Sequence, residues 1–287
     1  MEIGCNTVRV AVIGSSGQLG GHLVRILNDK KYDVISLPHA DIECGDSESV
    51  QAVLGSIEPE VVINCAAFTD VDMCQKNPVE AFRVNALGAL YVAQACARVG
   101  SLCVYISTDF VFDGEKGKPY MEDDCPNPVN VYGASKHAGE MLLRQACPQW
   151  LIVRVASLFG TTGNFVEMIV RKARMGTSLR IVDDVYMSPT YAYDASRALE
   201  QLIRQRTTGI FHLANAGRCS WYELAKKTFE IVGLFPDLES IHSHDYPYHA
   251  RRPKDSSLGR RDRHDGLDTC LQPWQQALEV YLDTGTN

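Results

Sequence analysis

The stretch Val8-Arg-Val-Ala-Val-Ile-Gly-Ser-Ser-Gly-Gln-Leu-Gly20 decides how this chain folds. A run rich in valine ends at Ile13, glycines stand at 14, 17 and 20, and an amphipathic pattern begins at Leu19. A short apolar run entering a glycine turn and then a helix is the opening of a βαβ unit. The glycines let the backbone turn sharply and approach a pyrophosphate, whose charge rests on the amides of the helix N-terminus. The spacing is GxxGxxG rather than the commoner GxGxxG. Glycine clusters also punctuate ordinary turns, so position carries the reading: first strand, first helix, dinucleotide site.

Outward from this turn the rhythm continues. Apolar runs at 8–13, 34–37, 61–65, 102–107 and 151–155 alternate with helical patterns at 19–27, 49–54, 79–98 and 132–145. Continuous apolar strands separated by helices predict a parallel sheet covered on both faces. With right-handed crossovers this is an α/β doubly wound Rossmann fold. Beyond about residue 155 the alternation loosens. Helices are expected at 165–173, 191–204 and 221–232, strands at 179–182 and 210–213, an irregular charged stretch at 242–264, and a last helix opening at Pro273-Trp274. No linker marks the change, which predicts a smaller C-terminal α+β part built onto the first.

Composition narrows the function classes. Asp and Glu number 35 against 28 Lys and Arg, a net charge of −7, which opposes nonspecific nucleic-acid binding. No apolar run reaches membrane-spanning length and the N-terminus lacks a basic, signal-like start, so the expected compartment is the cytoplasm, with no membrane partner. Ten cysteines form no CxxC pair, and several sit in apolar runs, as reduced cysteines do. His242-x-His244, with His249 beyond, has no further ligand at metal-site spacing, and no metal is expected.

Tyr-x-x-x-Lys occurs twice, as Tyr132-Gly-Ala-Ser-Lys136 and Tyr222-Glu-Leu-Ala-Lys226. The first lies within the βα region, after a strand ending in Ser107-Thr108-Asp109 whose hydroxyls should emerge at the sheet's C-terminal edge. The second lies in a late amphipathic helix, where packing accounts for it. Spacing of i,i+4 stacks Tyr132 and Lys136 on one helix face. Reducing a ketone takes hydride at carbon and a proton at oxygen. A phenol ordinarily holds its proton to about pH 10, and a neighbouring lysine cation eases its release. Thr108 can donate to the oxygen as charge develops. Asn64-Cys-Ala-Ala67, at a strand end, is small enough for close cofactor approach. At the adenosine end, Ser36-Leu-Pro-His39 offers neither the acid that holds a ribose 2′-hydroxyl nor an arginine for a 2′-phosphate, so NADPH and NADH stay open.

These residues carry a resemblance. The chain is similar to the dTDP-4-dehydrorhamnose reductase family of extended short-chain dehydrogenase/reductases. The match runs through Gly17-Gln-Leu-Gly20, Asn64-Cys-Ala-Ala-Phe-Thr-Asp-Val-Asp72, Val84-Asn85, Ser107-Thr-Asp-Phe-Val-Phe-Asp-Gly114, Pro128, the first Tyr-x-x-x-Lys, Gly139-Glu140, Gly163-Asn-Phe165, Ser188-Pro-Thr190, Gly209-Ile-Phe-His212, Ser220-Trp-Tyr-Glu-Leu-Ala225 and Arg252-Pro253, with Ser256 and Leu258 after it.

The resemblance implies a cofactor domain of residues 1–155 plus about 184–205. A sugar-nucleotide part then covers about 156–183 and 206–287. It implies Tyr132 as proton donor, Lys136 as its partner and ribose anchor, and Thr108 polarising a C4 carbonyl. Gly17, Gln18 and Leu19, with Gly14 and Ser16 of the same turn, would meet the pyrophosphate; Asp46 and Ser47 the adenosine; Ala66, Ala67, Phe68 and Thr69 the nicotinamide half. Asp109, Ser157, Asn164 and Arg252 would face the substrate, a nucleotide sugar, and Asn85 would be structural. NADPH or NADH would be oxidised, and a homodimer is the assembly left open.

Two departures stand out: Phe110 where the family often has Tyr, and Arg154-Val-Ala-Ser157 where it often reads Arg-Thr-Ser-Trp. Loss of that Trp points to a related 4-keto-6-deoxy sugar nucleotide. Two rivals remain. One is a sugar-nucleotide dehydratase or epimerase, against which Phe110 stands where a dehydratase has a second carboxylate. The other is a non-catalytic cofactor-binding subunit resembling the regulatory β subunit of methionine adenosyltransferase. Of the late basic group Arg251, Arg252, Lys254, Arg260, Arg261 and Arg263, Arg252 is best placed by the resemblance to meet a diphosphate.

Overall fold

The computed structural model describes residues 7–161, 163–261 and 271–284. Arg263, Cys5, Cys270 and the end of the expected 242–264 loop lie outside them. The first half runs β1 (Arg9–Ile13), α1 (Gln18–Asp29), β2 (Asp33–Leu37), α2 (Ser47–Ile57), β3 (Val61–Asn64), α3 (Val71–Lys76), α4 (Pro78–Phe82), a π-helical turn (Arg83–Leu87), α5 (Gly88–Val99), β4 (Leu102–Thr108), α6 (Val131–Ala146) and β5 (Trp150–Val155). The second runs β6 (Leu158–Phe159), α7 (Phe165–Arg174), β7 (Leu179–Val182), β8 (Tyr186–Met187), β9 (Thr190–Tyr191), α8 (Ala192–Arg204), β10 (Gly209–His212), β11 (Cys219–Ser220), α9 (Trp221–Val232), β12 (Leu238–Ile241) and α10 (Trp274–Thr284).

Six strands make one sheet in the order β10-β5-β4-β3-β1-β2, every neighbouring pair parallel. Alternation along each strand feeds two cores. Val10, Val12, Val61 and Ile63 pack with Leu19, Leu23 and Leu27 of α1 and Leu199 of α8. Ala11, Ile13 and Val62 pack with Leu54 of α2, Val92 and Cys96 of α5 and Leu143 of α6. Burial on both faces explains why these strands read as continuous apolar runs. Chain order reverses between β1 and β3, and the crevice at that switch point is where open α/β sheets bind ligands.

The expected 79–98 helix runs without a break through a π-helical turn. Pro78 opens α4, and the wide turn Arg83–Leu87 joins it to α5. That turn presents Asn85, fully buried, whose side chain donates to Phe68 O and Ser135 Oγ and accepts from Phe68 N at 2.8 Å. It thereby pins the loop after β3 to α6. Gly209–His212, which the expected division leaves with the C-terminal part, adds the sheet's edge strand beside β5. α8 covers the β1–β3 face, so the chain returns to the sheet twice after residue 155. The remainder is α+β: β7 pairs with β12 and β8 with β11, and α7 and α9 share a small core of Ile169, Leu179, Ala225 and Phe229. No described helix is long and apolar enough to cross a membrane.

Candidate active site

A cavity of about 780 Å³ opens at the C-terminal ends of β1, β3, β4 and β5. Gly14 takes φ +73°, and a Cβ there would stand 2.9 Å from Ala66 N, so only glycine lets the first turn and the loop after β3 close on each other. Helix α1 starts at the cavity uncapped. Gly17 supplies no side-chain cap and no acid stands in the first turn, whereas α2, α6, α7 and α9 are capped by Asp46, Asn130, Asn164 and Ser220. Free N–H groups at a positive helix end suit a pyrophosphate. Gln18 Oε1, in the same turn, is buried without a hydrogen-bond partner in the described structure. The free amides, which donate, fit a dinucleotide phosphate lying across the turn; the Gln18 oxygen, an acceptor, does not pair with an anion.

Gly14, Ser16, Gly17, Gln18, Leu19, Ala66, Ala67, Phe68, Thr69, Thr108, Asp109, Tyr132, Lys136 and Ser157 all line this one cavity. Four expected residues do not. Asp46 spends its carboxylate on Glu48 N and Ser49 N as the cap of α2, and Ser47 begins that helix. Asn164 caps α7 and donates to the Tyr281 hydroxyl at 2.9 Å. Arg252 donates to Asp72 Oδ1 at 3.0 Å and lies 4.5 Å from the Tyr248 ring centre. The part of the cavity beyond β2 is lined by His39, Ile42, Glu43 and Cys44, joined by Arg83 from the π-helical turn. Arg83 is held by Glu80 at 2.7 Å and by Glu43 at 3.3 Å. Sequence reading around β2 found no arginine there because this one arrives across space.

The catalytic end is assembled by β4 and α6. Gly133 lets them touch: its Cβ would fall 2.0 Å from Phe110 O. Lys136 is 1% exposed, donates to Ile106 O at 2.7 Å and stands 4.0 Å from the Tyr105 ring centre. Burial lowers its pKa to about 7 against the opposing pull of Glu140. Burial pushes the Tyr132 phenol well above its ordinary value, although the Thr108 hydroxyl bonded to it pulls the other way. Tyr132 is therefore loaded with a proton at neutral pH, as an acid must be. Phe110 packs edge-on to its ring at 5.9 Å. Thr108 donates to Asp109 Oδ1 at 3.0 Å and accepts from Phe110 N at 3.2 Å. The Ser107 hydroxyl does not emerge beside it as expected. Strand alternation turns it the other way, and it donates to Glu140 Oε1 at 2.5 Å.

Glu140 belongs to a buried group that sequence reading quoted without a role. Its carboxylate takes Arg154 Nε at 2.9 Å and Nη2 at 2.7 Å. Arg154 Nη1 reaches His212 Nε2 at 3.5 Å, and His212 Nδ1 faces Gly259 O at 2.8 Å. Burial holds His212 near pKa 4, so the ring is neutral, with its proton on Nδ1 toward the carbonyl. Ser157, at the end of β5, adopts φ +40°, a left-handed conformation uncommon for a residue with a Cβ. Away from the cavity, His242 faces Asp183 at 3.4 Å and Asp184 at 3.8 Å and stacks on His244.

Comparison with known proteins shows which family the chain is similar to. The model of a family described as the RmlD substrate binding domain matches residues 8–287. A Bacillus subtilis relative named spore coat polysaccharide biosynthesis protein SpsK is 38% identical over 96% of each chain. A dTDP-4-dehydrorhamnose reductase of Aggregatibacter actinomycetemcomitans is 34% identical over 94% of this chain and 97% of its own. The crystal structure of a dTDP-4-dehydrorhamnose reductase from Bacillus anthracis, in complex with NADP, superposes with a TM-score of 0.94 at 35% identity, covering 97% of this chain and 99% of that one.

Proposed function

Because the chain belongs to the RmlD substrate-binding domain family, we propose that it reduces the C4 keto group of a dTDP-4-keto-6-deoxyhexose, dTDP-4-dehydrorhamnose or a close relative, with NADPH or NADH. One observation carries this reading: Thr108, Tyr132 and Lys136 converge in the same cavity as the uncapped, glycine-built start of α1. A nicotinamide cofactor bound there supplies hydride. The chain's own groups do the rest.

The α1 amides, Gln18 N–H among them, hold the phosphates, and the loop Ala66, Ala67, Phe68 and Thr69, pinned by Asn85, walls the nicotinamide half. Tyr132 delivers its proton to the C4 oxygen. The Lys136 cation favours the phenolate left behind, and Thr108 donates to the oxygen as charge grows. Dehydration would need a second acid or base beside Asp109, and that place is filled by the Phe110 ring against Tyr132. Asp46, Ser47, Asn164 and Arg252 are best read as framework here, with Arg252 reaching a substrate diphosphate only by leaving Asp72. A cytoplasmic, dimeric enzyme is part of the same proposal.

The test is purified protein with NADPH or NADH and a panel of dTDP-4-keto-6-deoxyhexoses, following cofactor oxidation and the product's C4 configuration. Cofactor binding without oxidation on every sugar would favour a non-catalytic subunit.

A further inference from the structure

We propose that Asp109 works as a neutral acid whose proton sets the direction of the hydrogen-bond chain through which Thr108 and Tyr132 meet the substrate oxygen. The inference rests on the reductase reading above and adds to it a condition for activity. Asp109 is 3% exposed, and both carboxyl oxygens are engaged: Oδ1 with the Thr108 hydroxyl at 3.0 Å, Oδ2 with the Ser256 hydroxyl at 2.5 Å. Ser256 is itself 1% exposed and comes from the C-terminal segment, fixed by its own amide on Tyr186 O at 3.1 Å. The groups that hold Asp109 are thus hydroxyls and backbone amides rather than cations.

Counting protons and lone pairs fixes two states. A threonine hydroxyl has one proton and two acceptor lone pairs. On Thr108 one lone pair takes Phe110 N–H. When Asp109 is a carboxylate it can only accept, so the Thr108 proton goes to it. The Thr108 hydroxyl pulls the Tyr132 pKa down, so its proton points to the phenol oxygen only when Asp109 does not take it. With Asp109 ionised, the Thr108 proton is committed inward and is not offered to a carbonyl. When Asp109 carries a proton, its O–H fills the second Thr108 lone pair. The Thr108 proton is released toward the cavity, where it can meet the Tyr132 oxygen or the substrate carbonyl, and Tyr132 holds its own proton for the substrate. No bond to Asp109 is made or broken in turnover: Tyr132 loses the proton the product gains, and Asp109 retains its own. Asp109 is a positioning residue in this account.

Burial raises the Asp109 pKa to about 6 against the bonds from Ser256 and Thr108, so the neutral form is within reach near neutrality. The groups around it are Thr108 on β4, Phe110 N–H in the following turn, Tyr132 from α6 and Ser256 from the C-terminal segment. Lys136, one turn beyond Tyr132, lines the same cavity, and Cys74 of α3 adds to the upward pull on the Tyr132 pKa. Lys136 loses its charge near pH 7, so a second decline belongs to it.

The experiment is kcat/KM from about pH 5 to about pH 8 on wild type, D109N and S256A, with NADPH binding measured separately. Wild type should fall through about pH 6, approaching tenfold per unit above it. Asparagine offers a fixed N–H to Thr108, oriented by Ser256 donating to its oxygen, so D109N should lose that fall and decline only with Lys136. S256A removes a donor that favours the carboxylate and should move the fall to higher pH, which decides the matter if D109N does not fold. Infrared difference spectra over the same pH range test protonation without turnover: a carboxylic acid band titrating in wild type should be missing in D109N. A fall near pH 6 that persists in D109N, a downward shift in S256A, or no titrating acid band in wild type would overturn the proposal. Absence of turnover with the wild-type band present would count against the reductase reading alone.

Discussion

Replacing Arg154 with methionine strands a carboxylate in the core. Arg154 and Glu140 are 1% and 2% exposed and share two hydrogen bonds of 2.9 and 2.7 Å. Burial alone would raise the Glu140 pKa. The Arg154 hydrogen bonds, the His137 contact and the Arg154 charge outweigh it and hold the group at about 2 rather than 4.5. About 2.5 units at 1.36 kcal/mol each is roughly 3 kcal/mol, within the range of about 3–5 kcal/mol for breaking one side of a buried pair. Urea unfolding near pH 7 should lose that much in R154M, whereas R154M/E140Q should lose less than the sum of the single changes.

The pH dependence carries a sign. In wild type the folded pKa is depressed, so this stability is complete above about 4.5 and is lost as pH falls toward about 2. Without Arg154, burial raises the Glu140 pKa instead, and R154M should gain stability as pH falls through the carboxylate range. A loss under about 1 kcal/mol, or the same slope in both proteins, would refute the reasoning.

Gly14→Ala puts a side chain at φ +73° with its Cβ 2.9 Å from Ala66 N, so it should cost at least about 1–2 kcal/mol and weaken NADPH binding more than tenfold, read by thermal denaturation with and without cofactor. Ser157→Trp restores an aromatic wall beside Thr108. It should raise kcat/KM for dTDP-4-dehydrorhamnose by up to about tenfold, and equal use by wild type would show the wall is not needed.

Local pattern made much of the fold legible. The glycine turn, the two-faced strands and the α6 helix carrying Tyr132 and Lys136 each follow from periodicity within a few neighbouring residues. What local pattern missed was set by tertiary contact. Arg83 reaches the cavity beyond β2 from a π-helical turn, which a uniform 3.6-residue reading does not distinguish from the rest of the helix. The resemblance implies that Asp46 meets the adenosine, and the structure shows its carboxylate capping α2 by accepting from Glu48 N and Ser49 N. The Asp109–Ser256 bond joins residues 147 apart, a separation no spacing rule spans. The six-residue α3 is too short to show a period, yet its Asp72 anchors Arg252.

Single-turnover reduction of a dTDP-4-keto-6-deoxyhexose by the NADPH complex, in wild type and Tyr132→Phe, tests the central claim most directly. Hydride transfer should be seen in wild type and slowed by about 10²–10⁴-fold in the variant with cofactor affinity unchanged. Near-equal rates in the two proteins, or none in wild type on any such sugar, would contradict it.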